Sequence, residues 1–331
     1  MEQIREKQME YGIVKTAQCY LYDRGGDWDG KRKMQIVDEI FSGWAVRLIR
    51  TRAQEDTKRE AHSRKKMQEL FDCEWVKVET HYGYGGFVKS CMLRTITQSE
   101  LWERQEKKRF MRVRIAEVDL LEKADIRSLP LELLLKNAIV EILERQQDWI
   151  RVRTAAGKEG FVHRIHLAER LDDDRWLLKQ LCDRNLQEDF KRIGRFEETF
   201  PKEAVLRERL VKSAMAYLGT QYRWGGKSSQ GIDCSGLVFM SYLEQGILIF
   251  RDAKPDPAYP IHQIPEKWAK PGDVIYFPGH VAMYLGNGKY IHATAQADSA
   301  GVVINSLSPK DPDYREDLAD SILCWGSIYQ R

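Results

Sequence analysis

No stretch of this chain approaches the roughly 18 apolar residues that a membrane-spanning helix needs. Neither sign of charge dominates it: 53 lysines and arginines face 50 aspartates and glutamates, for a net charge of +3. That balance excludes the strongly basic surface expected of a nucleic-acid-binding protein. The six cysteines (Cys19, Cys73, Cys91, Cys182, Cys234 and Cys324) include no Cys-x-x-Cys pair. Neither a disulfide framework nor a structural zinc is therefore expected, and the cysteines are read as unpaired. His163-x-x-His166 lacks neighbouring carboxylate or cysteine ligands, so no metal site and no cofactor is expected. The start, Met1-Glu-Gln-Ile-Arg-Glu-Lys-Gln-Met-Glu10, has no apolar core of the signal-peptide kind. With unpaired cysteines, that start predicts a cytoplasmic protein stable under reducing conditions. Gly/Ser/Pro-rich linkers are also missing, which argues for a compact particle.

What is present is enough for several cores: 331 residues, 43% of them hydrophobic. An internal repeat organises the first half. Trp75-Val-Lys-Val-Glu-Thr-His-Tyr-Gly83-Tyr84-Gly-Gly86-Phe87-Val88 aligns without gaps on Trp149-Ile-Arg-Val-Arg-Thr-Ala-Ala-Gly157-Lys158-Glu-Gly160-Phe161-Val162. Each copy reads as a Trp-led alternating strand, a Gly-rich turn and a Gly-Phe-Val strand, which predicts two similar β modules. Further upstream, Val46-Arg-Leu48 matches Val140-Glu-Ile142 at a longer offset, so the first copy carries extra residues. They fall in the charged stretch from Arg50 to Glu69, which reads as a solvated loop or short helix. Leu171 to Phe200, with apolar spacing such as Trp176, Leu177 and Leu181, predicts a helical connector.

The chemistry concentrates further on. Gly231-Ile-Asp233-Cys234-Ser235-Gly236 followed by an apolar run to Gly246 places Cys234 in the first turn of a helix, with Asp233 as N-cap. Leu237, Met240 and Leu243 recur at helical spacing, and the helix is predicted from about Cys234 to Gln245 with one face buried. Free N–H groups and the positive helix end favour a thiolate there. The capping carboxylate opposes it, so an ion pair with a nearby imidazolium is expected to tip the balance.

Gly279-His280-Val281-Ala282 through Lys289-Tyr-Ile-His292-Ala293 reads as a β-hairpin bearing two histidines. A two-residue Asn287-Gly288 loop would set His292 opposite Met283 and leave His280 on the other face. A three-residue Gly286-Asn287-Gly288 loop sets His292 opposite Ala282 and makes the histidines diagonal neighbours, so the longer loop is expected. Cys234, His280 as general base and His292 as the residue orienting it are then the parts of a papain-type thiol hydrolase. Tyr222 can offer a hydroxyl near the developing oxyanion beside the Cys234 N–H.

From about Glu203 onward, the ordered set Tyr222-x-Trp224-Gly-Gly, Asp233-Cys-Ser-Gly, Pro271-Gly-Asp-Val, Gly279-His-Val and Ile291-His-Ala resembles the NlpC/P60 family of cell-wall peptidases. The resemblance implies an α+β fold in which a papain-like NlpC/P60 catalytic domain (203–331) follows two small SH3-like β-barrels. The barrels are assigned to residues 1–98 and 108–169, with the connector at 170–202. It also implies cleavage of peptidoglycan stem peptides between D-Glu and the diamino acid, lysine or diaminopimelate, through an acyl-enzyme. Trp224, Asp233 and Ser235 join Tyr222 as substrate-facing residues.

In the subgroup with such barrels, an aspartate in an Arg-Asp-Ala/Ser segment and a first-barrel tyrosine hold the free N-terminus of L-Ala. The matching residues here are Asp252 in Arg251-Asp252-Ala253, and Tyr84, whose counterpart in the second repeat is Lys158. Two other functions share these features: a wall-binding module with an inactive papain-like domain, and a thiol acyltransferase or amide hydrolase acting elsewhere. A wall or secreted location would follow if a signal had been removed.

Overall fold

The computed structural model describes residues 10–25, 33–49, 73–105, 109–170, 174, 177, 202–296 and 298–329. The charged insertion at 50–69, the first nine residues and most of the connector at 170–202 lie outside the described residues. The chain divides into two units, Met1–Leu181 and Cys182–Arg331.

The first unit is built from the repeat. Strands β1 (Glu10–Val14), β2 (Gln18–Tyr22), β3 (Ile36–Phe41), β4 (Ala45–Ile49), β5 (Trp75–Thr80), β6 (Gly85–Lys89) and β7 (Leu93–Ile96) form one sheet in the order β3-β2-β6-β5-β4-β1-β7. A short helix, α1 (Gln98–Glu103), follows, closed by a reciprocal capping box between Thr97 and Glu100. Strands β8 (Phe110–Val113), β9 (Glu117–Leu121), β10 (Pro130–Leu135), β11 (Ile139–Gln146), β12 (Trp149–Arg153), β13 (Glu159–His163) and β14 (Leu167–Glu169) then form a second sheet, β10-β9-β13-β12-β11-β8-β14.

Strand for strand, the two orders are the same, so the sequence repeat is a repeat of topology. Gly83 and Gly157, aligned in the repeat, hold the left-handed φ values of 82° and 86° that the two tight turns require. Among the described residues, the edge strands of each sheet do not pair with each other. The core of the second sheet is a Val/Leu/Ile cluster around Val113, Leu134, Val152 and Val162. Leu177, from the segment read as a connector, is buried with Tyr11, Ile13 and Leu101.

One expectation fails here: Cys73 and Cys91 are joined in a disulfide. The reason lies in the β5–β6 hairpin. Cys73 precedes β5 and Cys91 follows β6, and the Trp75↔Lys89 pairing brings the two flanks together, with Cα atoms 5.3 Å apart. A separation of 18 residues means nothing until the hairpin closes it. The pairing removes one of the two grounds for a cytoplasmic location, since disulfides persist mainly in oxidising compartments.

The second unit sets two helices, α2 (Glu203–Met215) and α3 (Cys234–Leu243), and the small ladder β15 (Lys227–Ser228) and β16 (Gly231–Ile232) beside a six-stranded antiparallel sheet. The sheet order is β17 (His262–Ile264), β22 (Cys324–Ser327), β18 (Val274–Phe277), β19 (His280–Gly286), β20 (Lys289–Thr294) and β21 (Gly301–Ser306), with a last short helix, α4 (Glu316–Ala319), before β22. Helix α3 packs against α2 on one side and β19 and β20 on the other.

Because it is enclosed, α3 is buried at every position but Ser235, rather than on the single face its spacing suggested. Asp273 of the Pro-Gly-Asp-Val segment is a structural tie: it accepts from Arg207 at 2.8 Å, Ser327 Oγ at 2.7 Å and the Lys270 N–H at 2.8 Å. No helix among the described residues is long and apolar enough to cross a membrane.

Candidate active site

Helix α3 starts where the sequence predicts. Asp233 is extended (φ −96°, ψ 176°), and its Oδ1 accepts from the Gly236 N–H at 2.6 Å while Oδ2 accepts from the Gly225 N–H at 2.8 Å. The motif glycines permit this closeness, since a Cβ on Gly236 would lie 2.3 Å from the Gly226 carbonyl oxygen. The helix ends at Leu243 with Glu244 as C-cap, and Gly246 takes the left-handed φ of 78° that turns the chain away.

Cys234 is 7% exposed, in the first turn of α3. Burial pushes its thiol up to about 11, reinforced by the Asp233 charge; the nearby main-chain N–H groups of Val281 and Ser235 and the Arg251 charge pull the other way.

The hairpin corrects one expectation while keeping its consequence. The loop is the two-residue Asn287-Gly288 turn, with φ of 53° and 75°, and Gly286 pairs with Lys289. A β-bulge between Tyr284 and Gly286 absorbs one residue, so that Met283 pairs with Ile291. One step further, His292 stands level with Ala282. The bulge therefore does what the longer loop was expected to do, and His280 Nε2 lies 2.7 Å from His292 Nδ1.

Both imidazoles are held neutral. Burial first, then the His292 and Arg315 charges, pulls His280 down to about 3; burial pulls His292 down to about 4, partly opposed by its bond to Asn305. The expected resting ion pair is thus disfavoured at both ends: desolvation favours the neutral thiol and the neutral imidazole. A neutral thiol and a neutral imidazole are the resting forms of a couple that would pass its proton during attack, as a serine-type couple does.

The depressed histidines make a stability prediction. Unfolded, each binds its proton near pH 6.5; folded, only at about 3 and about 4. The unfolded chain therefore holds more protons below 6.5, and stability is full above that pH and falls as the pH drops toward 3. The slope is up to about 1.4 kcal/mol per pH unit per histidine. Urea midpoints of the wild type should fall between pH 6.5 and 4.5, before buried carboxylates titrate, and fall less in His280→Gln. A flat midpoint across that range contradicts the assignment.

Two residues complete the site that local sequence did not single out. Asn305, on β21, accepts from His292: Oδ1 lies 2.9 Å from Nε2. Arg251, 2% exposed, clamps Asp233 with Nη1 and Nη2 at 3.1 and 3.0 Å and reaches Ser235 Oγ at 2.7 Å. The sequence offers Arg251 as the neighbour of Asp252; its guanidinium is turned onto the Asp233 cap of α3.

The other predicted residues fall as follows. Tyr222 is half-buried near Cys234 and Asp233, and burial followed by those two groups keeps its phenol protonated as a donor. Trp224 is 64% exposed. Asp252 is half-buried in the loop after α3. Tyr84 belongs to the first unit, where its N–H donates to Thr80 Oγ1 at 2.9 Å in the β5–β6 turn. No group of three or more metal-ligating side chains occurs among the described residues.

Comparison with known proteins gives concordant matches. The family model described as the NlpC/P60 family matches residues 219–314. A dipeptidyl-peptidase 6 of Lysinibacillus sphaericus is 32% identical over 300 residues, covering 89% of this chain and 93% of its own. A γ-D-glutamyl-L-lysine dipeptidyl-peptidase of Bacillus cereus is 32% identical over 119 residues, 33% of this chain and 34% of that protein. The crystal structure of an NlpC/P60 family protein from Bacillus cereus superposes with a TM-score of 0.64 at 18% identity, over 95% of this chain and 98% of that one.

Proposed function

The chain belongs to the NlpC/P60 family of peptidases, and on that premise we propose that it hydrolyses the γ-D-glutamyl-L-diamino acid bond of peptidoglycan stem peptides, in muropeptide recycling or cell-wall turnover. The observation that carries the mechanism is the hydrogen-bonded line His280–His292–Asn305 on the sheet whose strands β19 and β20 pack against the helix that Cys234 begins. Cys234 Sγ attacks the γ-glutamyl carbonyl carbon as its proton passes to His280. The oxyanion takes the Cys234 N–H and the Tyr222 hydroxyl, and His280 returns the proton to the departing amine. Water, activated by the same imidazole, then hydrolyses the thioester.

The relatives' names support the substrate class. The two seven-stranded sheets are read as SH3-like modules.

The enzyme is proposed to read a free N-terminus. By its match to the Arg-Asp-Ala segment, the half-buried carboxylate of Asp252, in the loop after α3, is the group proposed to meet the L-Ala ammonium. A charge-assisted bond of that kind is worth about 1.5–3 kcal/mol. kcat/KM for L-Ala-γ-D-Glu-diaminopimelate, or its lysine analogue, should exceed that for the N-acetyl peptide by about ten- to hundredfold, and Asp252→Asn should narrow the gap. Mass spectrometry of the cleaved peptides measures both. Equal rates on free and acetylated peptides would remove the end-reading role, and no cleavage of either would remove the substrate class.

A further inference from the structure

We infer that Asn305 is the positioning residue that sets the tautomers of both active-site histidines, and so decides whether His280 can act as a base. This rests on the peptidase reading of the site and adds to it a residue outside the Cys-His-His set. Tyr290 pairs with Asn305 and His292 with Val303 across β20 and β21, so Asn305 and His292 are diagonal neighbours on one sheet face.

The orientation of the Asn305 amide is forced from outside the site. Its Nδ2 lies 2.9 Å from the main-chain carbonyl oxygen of Asp313. A carbonyl only accepts, so the NH2 end must face it and the Oδ1 end must face His292.

The rest follows by donor and acceptor accounting. Oδ1 can only accept, and it lies 2.9 Å from His292 Nε2, which must therefore carry the hydrogen. A neutral imidazole has one N–H, so His292 Nδ1 is bare. At 2.7 Å from that lone pair, His280 Nε2 must donate. His280 Nδ1 is then the bare nitrogen, free to take the proton of Cys234 as Sγ bonds to the substrate carbonyl. When it does, the imidazolium stays hydrogen-bonded through Nε2–H to His292. Reversing the one amide would reverse each bond in the line and leave a hydrogen on His280 Nδ1, where the lone pair is needed. One main-chain carbonyl, three groups away from the thiol, therefore fixes the competence of the base.

The charged and aromatic surroundings do not set the tautomer. Arg315 and Asp317, whose fields reach both rings, are paired with each other at 2.7 and 2.6 Å. Tyr290 meets His292 edge-on at 5.1 Å, and Phe277 lies 5.8 Å from His280, contacts that favour neither nitrogen.

The test is nitrogen-15 spectroscopy of histidine-labelled full-length protein, which separates Nδ1–H from Nε2–H imidazole, combined with kinetics of Asn305→Leu and Asn305→Asp. The wild type should show both His280 and His292 as Nε2–H tautomers at neutral pH. Asn305→Leu, which keeps the volume and deletes the acceptor, should mix the tautomers and lower kcat by about ten- to hundredfold with little change in KM. Asn305→Asp restores an acceptor for Nε2–H and should restore the tautomers. Its added charge should raise the pKa of His292 and move the acidic limb of the pH–rate profile upward.

A wild-type His292 protonated at Nδ1 overturns the proposal, and so does an Asn305→Leu enzyme whose tautomers match the wild type. Because the spectra need no substrate, failure of the proposed peptide to be cleaved leaves this test intact, and the two failures are told apart.

Discussion

Replacing Cys234 with alanine is expected to abolish peptide hydrolysis, lowering kcat/KM by on the order of 10⁴-fold or more, while the protein unfolds at nearly the wild-type temperature. The first half follows from covalent catalysis: without Sγ there is no acyl-enzyme, and the histidine line has no proton to take. The second follows from the site's electrostatics. The thiol is pushed up to about 11, so in the resting protein it carries no charge for a partner to lose. Alanine is also a better helix former than cysteine at the first turn. Product formation by mass spectrometry and a thermal melt measure the two effects. Residual activity above about one hundredth of wild type would end the thiol mechanism.

His280→Ala should be nearly as damaging. His292 is fully buried between two hydrogen bonds, so its loss removes orientation and packing together.

Replacing Arg251 with methionine is expected to cost the catalytic unit about 3–5 kcal/mol, because it leaves the Asp233 carboxylate buried without its cation. Arg251 is 2% exposed and makes two hydrogen bonds to that carboxylate, which is itself tied to the Gly225 and Gly236 N–H groups at the helix start. Activity should fall as well. Asp233 already raises the Cys234 thiol, and Arg251 offsets it, so removing the arginine makes the proton harder to draw from Sγ.

The double variant Arg251→Met/Asp233→Asn should regain part of the stability, since it removes both charges, whereas a loss of hydrophobic contact alone would not be regained. Denaturant titration of the three variants and kcat on the proposed peptide decide the matter. An Arg251→Met protein as stable and active as its parent would show that the pair is ornamental.

Sequence by itself determined the parts of this protein that local rules specify. The Asp233 cap and the start of α3 follow from one residue and its next three N–H groups. The two similar sheets follow from an aligned repeat of alternation and turn glycines, and the motif order singles out Cys234, His280 and His292 as the candidate residues. Those interactions span few residues, so spacing encodes them.

Tertiary structure decided the rest. The disulfide between Cys73 and Cys91 needed the β5–β6 pairing to bring its ends together. The bulge beside Leu285, invisible in composition, corrected the loop and rescued the histidine face. Arg251 and Asn305 acquired their partners only when chain segments far apart in sequence met. The neutral resting state of thiol and imidazole arose from desolvation, which no motif carries, because burial is a property of everything packed around a group rather than of the residues beside it in the chain.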